Sequence, residues 1–332
     1  MILPSHHRAN GGYQNPWQGD MPRGLRAVLR WRRERRKAGV TSAHVSHVVS
    51  ASEIVLPRGT PSVLSATWIG HASTLLQVGT LNVLTDPMWS HRASPVSWAG
   101  PARLVVPAVP LRALPPIDVV LISHNHYDHL DRHTVRWLAE HHSTTTWFAP
   151  LGVARLVRRW GASDVRELDW WQSDVVGDAS VSCVPARHFS SRTLWDRDRT
   201  LWAGWTIVAD GWRVFFAGDT AYHPEFGRIA REHGPFDLVI LPVGAYEPRW
   251  FMGGVHMNPD DAMMAYNDLR SAQPAAPPPA MLPIHWGTFR LTDEPMDEPP
   301  ARTRARWAEA RLSSELLWLP THGQTQRRER TG

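Results

Sequence analysis

The chain has 332 residues, 42% of them hydrophobic and 20% charged, a balance that supports a globular core and excludes wholesale disorder. Mean hydropathy is −0.33, no uninterrupted apolar run approaches the ~18 residues of a membrane span, and the opening MILPSHHRANGG lacks the apolar stretch of a secretory signal. The single cysteine, Cys183, excludes an internal disulfide framework and all-cysteine zinc sites. That suits a reducing compartment, and the expected home is the cytoplasm.

Charge is segregated along the chain. Residues 1–40 carry nine basic and two acidic side chains, a net +7, and the remainder carries 27 basic and 29 acidic. The net +5 therefore describes a basic N-terminal segment on a nearly neutral body, and no nucleic-acid partner is expected. Thirty-five arginines against one lysine, with abundant Ala, Pro and Trp, point to GC-rich coding and a bacterial source.

Residues 1–22 read as an irregular arm, followed by a helix over 22–38 with Pro22 at its start and Gly39 as its stop. The arginines of this helix, with Trp31, suit either packing on the domain or peripheral contact with an anionic membrane at its inner face. Strands are predicted at 64–69, 74–78 and 81–85. The run 118–123 (DVVLIS) has the continuous apolar character of a strand buried on both faces. Helix 131–141, strand 144–148, helix 153–160 and strand 165–168 follow. Strands at 180–185, 202–209 and 212–217 then lead to helix 224–233, strand 238–243 and a helix over 259–269 announced by Asn258-Pro259. A Pro/Ala loop at 271–279 precedes strand 281–285, helix 300–312, a last strand at 316–319 and a charged tail expected to fray. Two β-rich blocks, each followed by helices, argue for a four-layer αββα sandwich. The boundaries are an arm and basic helix at 1–60, the main domain at 61–325 and the tail at 326–332.

The string Ser123-His124-Asn125-His126-Tyr127-Asp128-His129 places four potential metal ligands within six residues, directly behind a buried strand. His124 and His126 alternate, so an extended loop turns both imidazoles to one side. Three further candidates stand at predicted strand ends: His188, Asp219 in FFAGDT, and His285 in MLPIHW. Five histidines and two aspartates exceed one tetrahedral shell and suffice for two Zn²⁺ ions with a bridging carboxylate. Asp86 is expected to hydrogen-bond a ligand histidine. His71 is read as structural, Trp170 and Trp171 as core, and Cys183 as an inert buried thiol.

These residues, with TWIGHAS at 67–73, TDP at 85–87, SHNHYDHLD at 123–131, AGDT at 217–220, GAYEPRWFM at 244–252 and IHWGTF at 284–289, resemble the metallo-β-lactamase superfamily. Within it they look like the branch of N-acylphosphatidylethanolamine-hydrolysing phospholipase D, over roughly residues 60–325. The resemblance implies a metallo-β-lactamase-type sandwich with two zinc ions per chain. His124, His126 and His188 would hold one ion, Asp128, His129 and His285 the other, and Asp219 would bridge them. It implies substrate contacts from Tyr127 and His256. Arg192 stands where a basic residue meets a phosphate, while Asp128 and His256 are the candidate proton-handling groups.

The implied activity is phosphodiester hydrolysis of N-acylphosphatidylethanolamine or a related glycerophospholipid by a metal-bridging hydroxide. The alternative is a lactone or other ester of a soluble small molecule. Departures from the branch, Val255 before His256 and Ser97-Trp98 where a Gln-Tyr pair is usual, bear on lipid identity. The strings DWW at 169–171 and RWFM at 249–252 are candidate apolar surfaces for acyl chains, and the sequence leaves a homodimer open.

Overall fold

A computed structural model describes residues 4–17, 24–37 and 58–330. The N-terminal helix is α1 (Leu25–Lys37); its expected start at Pro22 and stop at Gly39 lie outside the described residues. Strands β1 (Val63–Gly70), β2 (Ser73–Val78) and β3 (Leu81–Thr85) form an antiparallel meander. After a long irregular stretch come β4 (Val119–Leu121), α2 (Arg132–His141), β5 (Thr146–Pro150), α3 (Ala154–Arg159) and β6 (Asp164–Leu168). The long irregular stretch, α2 and α3 serve as crossovers that make β3, β4, β5 and β6 parallel neighbours.

The second half opens with β7 (Ser173–Val176), β8 (Ala179–Val184), β9 (Gly204–Ala209) and β10 (Trp212–Phe216), all antiparallel neighbours. Then come α4 (Phe226–His233), β11 (Leu238–Pro242), the short α5 (Arg249–Met252), α6 (Pro259–Ser271), β12 (Ala280–Ile284), α7 (Glu298–Glu309) and β13 (Thr325–Glu329). The Asn258-Pro259 signal works as read. Asn258 and Asp261 form a reciprocal capping box with proline in the first turn of α6.

The strands form a seven-stranded sheet in the order β13-β1-β2-β3-β4-β5-β6 and a six-stranded sheet in the order β12-β11-β10-β9-β8-β7. Period-two alternation explains how one strand serves two layers. Val119 and Leu121 of β4 point into the core between the sheets, while Val120 and Ile122 point into a second core under α2 and α3. The helices α4 and α6 cover the outer face of the second sheet through Phe226, Ile229, Ala262 and Tyr266. The result is the expected four-layer sandwich.

The C-terminal elements differ from the sequence reading. Residues 314–316 form a 3₁₀ turn and only a single bridge joins Leu317 to Met281, so the strand expected at 316–319 does not form. The tail does not fray at 325: β13 pairs antiparallel with β1 from Val63↔Glu329 to Thr67↔Thr325. The arm is irregular over its described residues, as expected, and is pinned to the domain. His6 and His7 reach the two oxygens of Asp169 at 2.7 and 2.8 Å, and the His6 ring stacks on Trp170 at 4.2 Å.

Strand direction positions the site. The C-terminal ends of β1, β3, β4, β8, β10, β11 and β12 all emerge at one edge of the sandwich, where loops that carry chemistry usually lie.

Candidate metal centre and its cleft

Each sequence candidate leaves the end of a strand at that edge. The loop after β4 supplies His124, His126, Asp128 and His129; β8 is followed by His188, β10 by Asp219, and β12 by His285. Gly218, at φ +61°, lets the end of β10 lie against the loop, because a Cβ there would stand 2.5 Å from the Ser123 Cβ. Ala245, His71, Asp86 and His285 also adopt positive φ values of 62°, 57°, 34° and 67°. Such strained backbone gathers where surrounding structure holds it for a purpose.

The seven side chains converge. His124 Nε2 lies 2.8 Å from His126 Nδ1, which is 3.2 Å from His188 Nε2. His129 Nε2 and His285 Nε2 are 3.2 Å apart, with Asp128 Oδ2 at 3.4 and 3.6 Å from them. Asp219 Oδ2 sits between the two groups, 3.0 Å from His129, 3.1 Å from His285, 3.8 Å from His188 and 4.0 Å from His124. Donors sharing one Zn²⁺ at about 2.0–2.2 Å each stand roughly 3–4 Å from one another, so these spans fit ligation.

Ring tautomers follow from the outer contacts. The Ser123 hydroxyl donates to Asp86 Oδ2 at 2.6 Å, so its oxygen is free to accept from His124 Nδ1–H at 2.8 Å. Asp86 Oδ2 also accepts from His129 Nδ1–H at 2.7 Å, and His188 Nδ1–H donates to the Val255 carbonyl at 3.0 Å. In all three histidines the Nε2 lone pair is thereby turned into the cluster. Asp86, read as a partner of one histidine, holds His129 directly and His124 through the Ser123 hydroxyl.

Electrostatics separates the two groups. Burial, reinforced by neighbouring imidazoles, lowers His124 well below the usual range, His126 to about 3 and His188 to about 4, which keeps this trio neutral. Burial also opposes charge on His129 and His285, yet Asp219 and Asp128 outweigh it, raising His129 well above its ordinary value and His285 to about 9. Both carboxylates are buried too, but the surrounding imidazoles hold them well below the usual carboxylate range. Asp219 Oδ1, buried, has no hydrogen-bond partner. A neutral imidazole trio, two carboxylates and an unpartnered oxygen fit a divalent metal centre.

The cluster floors a cleft of about 920 Å³, to which His126, Tyr127, Asp128, Asp219 and His256 contribute. His256 Nδ1 is 3.9 Å from Asp219 Oδ2, and its backbone is fixed by Met252 O and the Arg249 guanidinium. The walls are largely apolar, built from Val28 and Trp31 of α1 with Phe189, Phe251, Met252 and Leu291, and carry Arg8, Arg197 and Asp198 as charged groups. Trp31 stacks on Phe251 at 5.3 Å and donates to Asp293 at 2.6 Å, while Arg30 covers the Trp250 ring at 4.1 Å. The helix is thus a wall of the cleft, a role legible only in the Val28/Trp31 spacing of one helical turn.

Several candidates fall elsewhere. Arg192, expected to meet a phosphate, braces the metal loop: Nη1 donates to Asn125 O and Leu130 O at 2.8 and 2.7 Å, and the guanidinium lies 3.9 Å over the Tyr127 ring. It lines a separate cavity. Trp170 is buried beside His6, so of the two aromatic strings only RWFM reaches the cleft. His71, read as structural, donates from Nε2–H to Asp128 Oδ2 at 2.9 Å and belongs to the second group of possible ligands. Its signal was the GHA turn at the end of β1. Cys183 is free and fully buried.

Residues 81–286 match the beta-lactamase superfamily domain, and with the αββα sandwich and the His/Asp centre this defines the class: the chain belongs to the metallo-β-lactamase superfamily. It is 46% identical over 243 residues to an uncharacterised protein of Mycobacterium tuberculosis, covering 73% of this chain and 63% of that one. It is 39% identical over 238 residues to N-acyl-phosphatidylethanolamine-hydrolyzing phospholipase D 1 of Caenorhabditis elegans, covering 69% and 65%. The chain thus spans less than two thirds of the length of these relatives. Among solved structures, the metallo hydrolase Igni18 of Ignicoccus hospitalis superposes with a TM-score of 0.58 at 19% identity, covering 81% of this chain and 100% of that one. No helix among the described residues is long and apolar enough to cross a membrane.

Proposed function

We propose that this protein is a dinuclear zinc hydrolase that cleaves the phosphodiester of N-acylphosphatidylethanolamine or a related glycerophospholipid. The observation that carries this reading is the amphiphilic cleft: a polar His/Asp floor below walls of Val28, Trp31, Phe251 and Met252. A phosphoryl group suits the floor and acyl chains suit the walls, whereas a small soluble lactone would leave the apolar surface uncovered. The name of the nematode relative agrees with it.

His124 Nε2, His126 Nδ1 and His188 Nε2 would hold one ion, Asp128, His129 and His285 the other, with Asp219 shared. Bound there, the pair of ions would supply an activated water near neutral pH and offset charge on the phosphoryl oxygens. Asp86 keeps the Nε2 lone pairs of His124 and His129 aimed inward. Asp128, ionised and at the rim of the cleft, accepts a hydrogen bond from the incoming water and orients it. His256, held neutral chiefly by burial, is suited to position a phosphoryl oxygen through a ring N–H. Water adds to phosphorus and gives up a proton to solvent, the P–O bond to the N-acylethanolamine breaks, and the departing oxygen takes its proton from solvent.

Contact with an anionic lipid surface belongs to the same reading. Trp31 faces inward, so the contact falls to the exposed α1 arginines Arg26, Arg32, Arg33 and Arg36, and to the loop beside the cleft where Leu194 is 90% and Trp195 88% exposed. The test is metal analysis of the purified protein joined to product analysis on N-acylphosphatidylethanolamine micelles and on a lactone panel. Release of N-acylethanolamine with phosphatidic acid is expected; turnover of lactones alone overturns the reading.

A further inference from the structure

Tyr127 lines not only the cleft but also a second cavity, of about 470 Å³, on the far side of the metal loop. Arg92, Arg132, Arg159 and Arg192 line it against a single carboxylate, Asp131. That carboxylate is committed. Its Oδ2 accepts from the Ser90 N–H and the Thr134 hydroxyl at 3.0 and 2.5 Å, and its Oδ1 accepts from the His133 N–H at 3.2 Å.

Two of the cations are held in place. Arg92 donates from Nε to Ser97 O at 3.1 Å and from Nη1 to Gly100 O at 2.6 Å. Arg192 is clamped by its Nη1 bonds to the metal loop, between the Tyr127 and Trp160 rings at 3.9 and 5.2 Å. Arg132 and Arg159 are exposed at the mouth. A concavity with fixed charges of one sign focuses the field and gathers counter-ions. Planar guanidinium groups match phosphoryl oxygens in charge and hydrogen-bond geometry. Burial draws Arg192 below the ordinary arginine range, a cost that a bound anion would offset.

We propose that this cavity is a second anion site, which takes a phosphoryl group beside the catalytic cleft. It stands independently of what the cleft hydrolyses. Tyr127, the shared wall under Arg192, links occupancy of the site to the floor of the cleft.

The experiment titrates inorganic phosphate into the metal-loaded protein by calorimetry at constant ionic strength. Three proteins are compared: the wild type, the Arg132→Ser/Arg159→Ser variant and His256→Ala. The arginine substitutions are at exposed positions, and unchanged metal content and circular dichroism confirm their fold. At least tenfold weaker binding of one phosphate is expected in the arginine variant, with that phosphate retained in His256→Ala. A second arm offers phosphatidylcholine vesicles with and without phosphatidic acid. Displacement of the phosphate by the acidic vesicles upholds the site with a lipid headgroup as its source, and phosphate binding without displacement upholds it with a soluble anion. An arginine variant that binds phosphate as the wild type does, or a wild type that binds neither probe, overturns the proposal.

Discussion

Asp86→Asn is the sharpest perturbation of the centre, because it alters no ligand and hardly changes volume. The carboxylate is fully buried and receives three donors: Ser123 N–H on Oδ1 at 2.7 Å, and the Ser123 hydroxyl and His129 Nδ1–H on Oδ2 at 2.6 and 2.7 Å. An amide presents an NH₂ on one side in either orientation. Turned toward Ser123 N–H, it leaves opposed buried donors, a cost of ~1–3 kcal/mol. Turned toward His129, it forces the proton of that ring onto Nε2 and removes the inward lone pair. At about 1.4 kcal/mol per factor of ten, the expected loss of metal affinity is ~10–100-fold. Ser123→Ala should cost less, since it severs the relay to His124 and leaves the Asp86–His129 bond. Competition titration against a chelator measures the affinity, and thermal unfolding in excess chelator separates loss of fold from loss of metal. An Asp86→Asn protein that binds metal within about twofold of the wild type refutes the tautomer argument.

Asp219→Asn should cripple turnover more than folding, because it removes the charge shared by both halves of the centre; near-wild-type turnover with full metal content would show that Asp219 does not bridge. Trp31→Ala should raise KM for long-chain substrates far more than for short-chain ones, as Trp31 and Val28 wall the apolar end of the cleft; equal effects on both would remove α1 from substrate binding. In the metal-free protein, burial opposes charge on His285 but Asp219 and Asp128 raise it to about 9, above its ordinary value of 6.5. Its ion pairs therefore stabilise the metal-free fold fully below pH 6.5, and that contribution is lost as pH rises through about 9. Ligation needs the bare nitrogen, so metal affinity should climb with pH over the same window, with protons released. Calorimetry in two buffers of different ionisation enthalpy detects that release, and its absence at neutral pH would sink the argument.

What could be read from sequence was local. The metal loop is one continuous string behind a strand whose alternation, Val119 and Leu121 against Val120 and Ile122, marks it as buried on both faces. The capping box at Asn258 is equally local, spanning four residues. His188, Asp219 and His285 were legible because each follows a strand run that ends at the same edge of the sandwich. Tertiary structure alone decided the rest. An edge strand needs apolar character on one face at most, so TQRRE at 325–329 carried no strand signal until β1 supplied a partner. The amphipathy of α1 announced a buried side without naming what covers it; its partners Phe251 and Asp293 lie more than 200 residues away. Arg192 presented a charge four residues beyond a ligand, and only packing showed the guanidinium bound to Asn125 O and Leu130 O, away from the cluster. Local pattern specifies which residue types an element offers; which group each side chain meets depends on contacts between distant segments, and those exist only once the layers close.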